Sequence, residues 1–291
     1  MTSSSHLRGI LAMLTAMGVL IGSDTCMKLA LPDAPFFQLV VMRGIGGVLV
    51  CLLLLLVLGQ GRDISRAVNP MLLARGACEV VANFAFTLAL FNMAIADLTA
   101  IAQTCPLFVL LGAWLIWGER LQTPQLLLIG LGMCGALLVA QPGTSAASPY
   151  AVLGFFTAIA AAVRDLITRK VPGEIPALVV ALTVLAMLTL AGVAGMLLFE
   201  TPVVPQPRTM GLMLFAGALM VGGHACVYLA YRIAPARTVA PFMYSLTLWA
   251  VLAGLLLFDD VPNPLAIAGM ALVALAGLLI IFLDQRRVVL G

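Results

Sequence analysis

Charge is the property that this sequence has least of. Charged residues make up only 9% of its 291 residues and apolar residues make up 63%, which gives a mean hydropathy of +1.16. Because a soluble domain carries roughly a quarter charged residues, this composition excludes an ordinary water-soluble protein. The net charge of +3 is too small to indicate a nucleic-acid partner. The expected partner of the surface is membrane lipid.

Residue types that build metal sites and nucleophilic sites are also scarce. The six cysteines lie inside apolar runs, and none forms a CxxC pair or lies near a histidine at metal-ligand spacing. We interpret them as small packing residues and expect no metal and no cofactor. The one histidine inside an apolar segment, His224, has no aspartate or glutamate at helical spacing in that segment. This disfavours an intramembrane protease or acyltransferase.

Long apolar runs are abundant. A helix needs about 20 residues to cross the hydrocarbon core of a bilayer, and apolar segments near that length recur along the chain. They are too long and too uniformly apolar for barrel strands, and the first continues past Asp24, unlike a cleaved signal peptide. We predict an all-α integral membrane protein with ten transmembrane helices, over residues 9–30, 36–58, 71–93, 98–117, 124–140, 150–168, 176–199, 209–231, 238–257 and 264–283.

These segments form two similar series of five. Pro124 matches Pro264, and Asp24 matches Asp165, in each case about 140 residues further along the chain. Because five is an odd number, the second series must enter the membrane from the opposite side. The sequence therefore predicts two inverted five-helix repeats, in residues 1–141 and 149–287.

Basic residues support the inverted arrangement, because Lys and Arg accumulate in short cytoplasmic loops. With the N-terminus inside, the opposite side holds Lys28 and Arg208, both near segment ends. The predicted cytoplasmic segments hold a larger set: Arg8, Arg62, Arg66, Arg120, Arg169, Lys170, Arg232, Arg237, Arg286 and Arg287. We predict a multi-pass protein of the inner cell membrane with both termini in the cytoplasm.

Two stretches carry a family resemblance. Ala94-Ile-Ala-Asp-Leu-Thr-Ala-Ile-Ala-Gln-Thr-Cys-Pro106, followed by Gly118-Glu-Arg-Leu121, resembles the ten-span EamA-type branch of the drug/metabolite transporter superfamily. Phe258-Asp-Asp-Val261 matches less well at the corresponding turn of the second repeat. The resemblance covers essentially the whole chain. It implies a secondary transporter that works by alternating access through a cavity between the repeats.

Two spaced pairs of charges are candidates for gating. Ionisable side chains inside a membrane cost roughly 2.5–3.5 kcal/mol each and face a bundle interior or a wet cavity. Asp24 and Lys28 are spaced i, i+4, so they share a helix face and can pair. Asp165 and Arg169 repeat this pattern in the sixth segment. A structural ion pair is the alternative to a gate.

Three polar residues in segments two and three are candidates for substrate or proton contact. Arg43 stands alone among apolar residues, and it either pairs with Asp24 or Glu79 or binds an anionic group of the substrate. Glu79 is a candidate proton-coupling residue, since membrane carboxylates serve in proton relays, with pairing to Arg75 as the alternative. Asn83 follows one helical turn later and adds hydrogen-bonding capacity.

The second repeat offers a matching polar patch. His224 and Tyr228 lie one turn apart and suit a polar or aromatic ligand, although a hydrogen-bonded packing histidine is the alternative. His224 occupies the repeat position of Asn83, so both are predicted to face one cavity. Gln103 and Tyr244 also overlay and are predicted to contact substrate.

Helix breaks are expected beside that second pair of residues, at Pro106 and Pro241. A proline frees backbone carbonyl groups that can bind a ligand or let the helix flex. A simple packed kink is the alternative.

The expected function is secondary active transport of a small polar metabolite that is amino-acid-like and either zwitterionic or anionic. Deep charges of both signs favour this substrate class, and proton coupling, ion coupling or exchange would drive transport. Asp24, Lys28, Gln38 and Arg43 together resemble carriers of riboflavin or S-adenosylmethionine, which stay an alternative, as does a drug exporter. Glycine-rich faces of segments five and ten allow either packing against each other or a homodimer.

Overall fold

The computed structural model describes residues 3–118, 123–141, 148–168, 170–172, 174–234 and 239–290. All regular secondary structure in these residues is helical. The α-helices are α1 Ser3–Ala30, α2 Phe36–Val57, α3 Pro70–Leu90, α4 Ile95–Ala102, α5 Cys105–Trp117, α6 Thr123–Ala140, α7 Ala151–Thr168, α8 Ala177–Phe199, α9 Pro207–Ile233, α10 Ser245–Leu257 and α11 Pro264–Leu290. The 3-10 helices Gly61–Val68 and Ala240–Tyr244 precede α3 and α10.

Most of these helices have the length and composition of membrane spans. Within the described ranges, seven stretches of helix are long and apolar enough to cross a bilayer, and α4 and α5 together form one of them. Three shorter apolar helices are Leu126–Ala140, Phe242–Leu257 and Pro264–Ile280. The predicted all-α membrane architecture is confirmed at this level. The number of crossings and the inverted repeat stay predictions.

Helix boundaries follow from local chemistry. Helix α3 begins at Pro70, directly after Asn69, whose side-chain oxygen accepts a hydrogen bond of 2.9 Å from Met71 N. This is the usual N-cap with a proline at the first helical position. Helix α5 ends before Gly118, which has a φ of 66°, a left-handed conformation that glycine adopts without steric cost.

The predicted helix breaks are present at both prolines. Helix α4 ends at Ala102 and α5 begins at Cys105, so the turn lies directly before Pro106. In the second half, Pro241 lies inside the 3-10 helix Ala240–Tyr244 that leads into α10. A proline has no backbone N–H and clashes with the preceding helical turn, which explains why both helices are interrupted there.

Packing joins the first half of the chain to the second. The largest helix–helix interfaces are α1 with α9, α2 with α8, α3 with α7, and α6 with α11. The α2–α9 interface brings backbones together, because a Cβ on Gly46 would lie 2.9 Å from Leu214 Cα. Small residues permit such close approach between membrane helices.

The glycine faces of α6 and α11 pack against each other. A Cβ on Gly135 would lie 2.8 Å from the carbonyl oxygen of Gly269, so neither position has room for a larger side chain. Gly130 has no atom within 4 Å of such a Cβ. Of the two arrangements that the sequence allowed, packing between the helices is the one observed. The homodimer stays a prediction.

Candidate substrate site

A first polar cluster joins α1, α2 and α3. The guanidinium of Arg43 donates to Asp24 Oδ1 at 3.0 Å and, more weakly, to Asn83 Oδ1 at 3.4 Å. Arg43 is almost fully buried, whereas the Asp24 side chain is 22% exposed. The expected partner of Asp24 on its own helix was Lys28, but Arg43 holds this carboxylate. A guanidinium with two polar partners satisfies a buried carboxylate better than a flexible lysine near a helix end.

A second cluster joins α3 and α7. Arg164 donates from one nitrogen to both oxygens of Glu79, at 2.9 and 3.0 Å, and from Nε to Asp165 Oδ1 at 2.8 Å. The predicted partner Arg75 is more distant from Glu79, at 3.8 Å. The Cys105 thiol donates to the other Asp165 oxygen at 3.7 Å. Arg164 is therefore the cation at the centre of this cluster, although the sequence analysis assigned it no role.

The two clusters line one cavity of about 210 Å³ between the halves of the chain. Asn83 and His224 both face it, as their matching repeat positions predict. Its charged lining consists of two carboxylates and two guanidinium groups: Asp24, Glu79, Arg43 and Arg164. The fixed charges of this polar cavity therefore balance.

A second cavity, of about 340 Å³, adjoins the polar one and shares Glu79, Met220 and His224 with it. Its other lining is mainly aliphatic and comes from α8 and α9: Ala177, Val180, Ala181, Val184, Leu185, Val221, Val227 and Tyr228. Arg75 and Thr168 complete it. We call this the apolar cavity. It extends from Glu79 and His224 to Thr168 at the end of α7 and Ala177 at the start of α8.

His224 is oriented by its own helix. The ring atom Nδ1 lies 2.8 Å from the carbonyl oxygen of Met220. A carbonyl oxygen can only accept, so Nδ1 carries the proton of this hydrogen bond, and Nε2 of the neutral ring is left as an acceptor. Because the side chain faces both cavities, His224 can accept a hydrogen bond from a ligand.

Lys28 lies away from both cavities, at one end of the bundle. Its Nζ is 3.1 Å from Asp260 Oδ2 and donates to the carbonyl oxygen of Met93 at 3.0 Å. It also lies 4.7 Å from the ring centroid of Phe258. The lysine therefore ties the end of α1 to the turn after α10, in the other half of the chain, and not to Asp24 as spacing along one helix allowed.

Two further contacts join the halves at the same end. The Glu200 carboxylate, after α8, accepts hydrogen bonds of 2.9 Å and 3.2 Å from the backbone N–H groups of Phe37 and Gln38 at the start of α2. Thr209 of α9 donates to Asp33 Oδ2 at 2.8 Å. We call these contacts, with Lys28–Asp260, the cross-half latch. They are not predictable from the sequence, because no pattern along the chain signals a contact between distant helix ends.

The remaining predicted site residues lie elsewhere. Gln103 donates to Thr247 Oγ1 at 2.8 Å, and Tyr244 is buried against Gly277. Neither lines the polar or the apolar cavity, so their predicted substrate contact has no support in this conformation. Arg169 lies outside the described residues, and its predicted partner Asp165 pairs with Arg164.

Known proteins resemble this chain along most of its length. Residues 7–141 match the model of the EamA-like transporter family. The pseudopaline exporter of Pseudomonas aeruginosa is 29% identical over 270 residues, which cover 92% of this chain and 94% of that protein. A riboflavin transporter of Rhizobium johnstonii is 31% identical over 65% of this chain and 62% of that protein. A crystal structure with 19% identity covers 98% of this chain and 99% of its own, with a TM-score of 0.63. That last likeness concerns fold alone.

Proposed function

We propose that this chain is an EamA-like secondary active transporter of a small amino-acid-like metabolite, because residues 7–141 match the model of that family and named transporters resemble the chain. Its likeness to this family and to a named exporter supports a multi-pass membrane transporter over an enzyme. In our proposal the substrate is zwitterionic or anionic, and it moves by alternating access between the two halves of the chain.

One observation carries this proposal, namely the polar cavity with charged groups from both halves at membrane depth. Charges inside a bilayer are costly. If α3 and α7 only had to pack together, apolar side chains between them would do so at lower cost than a buried ion pair. Arg43 and Glu79 come from the first half, and Arg164 and His224 come from the second. A substrate between them would contact both halves, as alternating access requires.

The pairing of helices supports two inverted repeats, with ten crossings in all. Exchanging the two series of five converts the α1–α9 interface into α7–α3, and both interfaces are present. The same exchange maps α2–α8 and α6–α11 onto themselves. This is the relation expected of repeats related by a two-fold axis in the membrane plane, with residues 1–141 and 149–287 as the units and both termini in the cytoplasm.

Thiol labelling tests that orientation. Val204 and Val68 are well exposed, in the connection before α9 and the one before α3. A membrane-impermeant maleimide should label Val204→Cys in intact cells and Val68→Cys only in inverted vesicles. The unsubstituted chain, with its own six cysteines, is the control. Labelling of both from the same side would contradict ten crossings with cytoplasmic termini.

Flux into proteoliposomes tests the substrate proposal. A panel of amino acids, flavins, nucleosides and polyamines should include zwitterions that move faster than through protein-free liposomes. Arg43→Gln should lower that flux at least tenfold, because it removes the buried guanidinium beside the polar cavity. The matched control is Arg66→Gln, since Arg66 is exposed and pairs with Asp63 at 3.4 Å. Equal flux for Arg43→Gln and the unsubstituted protein would refute the site.

A second candidate is a flavin-type carrier. The Rhizobium johnstonii relative is a riboflavin transporter, and the apolar cavity offers aliphatic surface for a ring system. Riboflavin flux above that of amino acids in the same panel would favour this candidate. We propose that the direction of transport is export, because the Pseudomonas aeruginosa relative is an exporter. Comparing flux with the compounds placed inside or outside the proteoliposomes tests this direction.

A further inference from the structure

The polar and apolar cavities meet at a defined place. Glu79, Met220 and His224 line both, so a ligand held among the charged groups has aliphatic surface directly beside it. The polar cavity draws on α1, α2, α3 and α7, whereas the apolar cavity draws mainly on α8 and α9. The charged head of a small ligand and its apolar remainder would therefore contact different helices.

The balanced charge of the polar cavity restricts the head of that molecule. Its two carboxylates and two guanidinium groups neutralise one another. Asp165, which pairs with Arg164, and Arg75, which pairs with Glu79, add one charge of each sign and keep the balance. A ligand with a net charge would add an uncompensated charge to a site between apolar helices of membrane-span length, which is costly. A zwitterion can exchange partners with both ion pairs and leave the total charge at zero. Balance therefore favours a zwitterionic head over an anion or a cation.

The polar cavity has hydrogen-bond donors for the carboxylate of a zwitterionic head and acceptors for its ammonium group. Nε of Arg43 is buried and has no hydrogen-bond partner among the described residues, so this guanidinium has donor capacity left for a carboxylate. The partly exposed carboxylate of Asp24 and Nε2 of His224 face the same cavity and accept from an ammonium group.

The apolar cavity restricts the remainder of the molecule. Val180, Ala181 and Val184 of α8 face Val221 and Val227 of α9 across it. A carboxylate or hydroxyl group placed among these five aliphatic side chains would lose hydration without gaining a hydrogen-bond partner from them. The polar side chains of the lining are Arg75, Glu79, Thr168, His224 and Tyr228. An aliphatic or aromatic chain would instead bury its surface, with a gain of affinity for each methylene.

We propose that the substrate is an amphipathic zwitterion, an α-amino-acid head between the two ion pairs with an apolar side chain in the apolar cavity. This inference rests on the proposed transport function and narrows its substrate class. It excludes small hydrophilic amino acids, purely anionic acids and purely cationic amines as good substrates.

A homologous series of ligands tests the proposal with the full-length protein in proteoliposomes. Alanine, 2-aminobutyrate, norvaline and norleucine share one head and differ by single methylene groups. The KM should fall about fourfold with each added methylene that becomes buried. Hexanoate and pentylamine, which each lack one charge of the head, should inhibit norleucine flux at least tenfold less well than unlabelled norleucine does. A KM independent of chain length, or equal inhibition by hexanoate or pentylamine, would overturn the proposal.

Two variants in which phenylalanine replaces alanine test where the apolar side chain of the ligand binds. Ala181→Phe fills part of the apolar cavity and should raise the KM for norleucine about tenfold or more, while the KM for alanine changes less than about twofold. The matched control is Ala77→Phe, because Ala77 is exposed and lines neither cavity. An equal effect of Ala181→Phe on both ligands would place the side chain elsewhere and overturn the proposal.

Failure of the substrate class and failure of the transport function would give different flux results. If no member of the norleucine series moves but another compound of the panel does, the amphipathic zwitterion is wrong and transport stands. If the folded protein moves nothing on the panel faster than protein-free liposomes, the proposed function itself is wrong.

Discussion

At the scale of single residues, the rarity of charged side chains in the apolar segments made part of the candidate site predictable. Charges are so few in the membrane segments that Asp24, Arg43 and Glu79 stood out without any structure, and all three line the polar cavity. Their pairing was predictable only in part: Arg43 was expected to pair with Asp24 or Glu79 and pairs with Asp24, whereas the pairing of Glu79 with Arg164 was not predicted. The i, i+4 spacing in α1 indicated that Lys28 can pair with Asp24. Lys28 pairs instead with Asp260, which is 232 residues further along the chain. Spacing along a helix reports only neighbours on that helix, so contacts across the bundle were beyond it.

The Asp24–Arg43 pair gives a prediction about stability. Asp24→Asn leaves the guanidinium of Arg43, whose side chain is only 3% exposed, without its carboxylate. Loss of one partner of a buried pair costs about 3 kcal/mol, so the unfolding midpoint in detergent should fall by several degrees. Asp63→Asn is the control, because the exposed Asp63–Arg66 pair should contribute less than about 1 kcal/mol.

The double variant separates charge from packing. Asp24→Asn with Arg43→Gln removes both charges, so its unfolding midpoint should lie above that of Asp24→Asn alone. Flux should stay low, because the zwitterion has lost both groups. A double variant less stable than either single one would show that the pair acts through packing and not through charge.

Glu79 gives a prediction about coupling. Its carboxylate is held by Arg164 through both oxygens, so it can take up a proton only if that pair opens during the transport cycle. If Glu79 couples transport to protons, Glu79→Gln should abolish accumulation driven by a pH gradient and preserve exchange of labelled for unlabelled substrate. Loss of both activities would instead assign Glu79 to the structure of the cavity. Asp165→Asn is the comparison, since Asp165 also pairs with Arg164.

At the scale of helices, the sequence was most informative. The apolar runs lie within a few residues of the observed helices, because a bilayer demands long apolar stretches with no exposed polar backbone. Both interruptions were predictable from Pro106 and Pro241, since the missing N–H acts locally. Which helix packs on which was not predictable from the runs, whose apolar residues surround the helix and mark no single buried face.

Helix α9 offers a direct test of its packing. A Cβ on Gly217 would collide with the backbone of Arg43 and Gly47 in α2, so Gly217→Ala should force the two helices apart at a cost of about 1–3 kcal/mol. Gly222 lies on the same helix with no atom within 4 Å of such a Cβ. Gly222→Ala should therefore be neutral or stabilising by up to about 1 kcal/mol. Thermal unfolding of the two variants in detergent measures the difference, and equal midpoints would contradict this interface.

At the scale of the whole molecule, the proposed alternating access needs two states, and the contacts of this structure fit one of them. The cross-half latch, through Lys28–Asp260, Glu200 and Asp33–Thr209, closes one end. The apolar cavity reaches Thr168 at the end of α7 and Ala177 at the start of α8, which lie at the opposite end of the bundle. No pattern in the sequence could predict which end is closed, because both states of the proposed alternating access would use the same apolar runs and the same charges.

If the latch holds this state, weakening it should open the other side. Ala161 lines the polar cavity, so Ala161→Cys should react with a small impermeant thiol reagent only from the side on which the apolar cavity opens. Adding Lys28→Met and Glu200→Gln removes the ion pair and the carboxylate that caps α2, which are available only while the halves touch. Reaction should then occur from both sides, measured in right-side-out and inverted vesicles. Val204→Cys, exposed at the latched end, checks vesicle orientation. Unchanged one-sided reaction in the triple variant would mean that the latch residues do not determine which side is open.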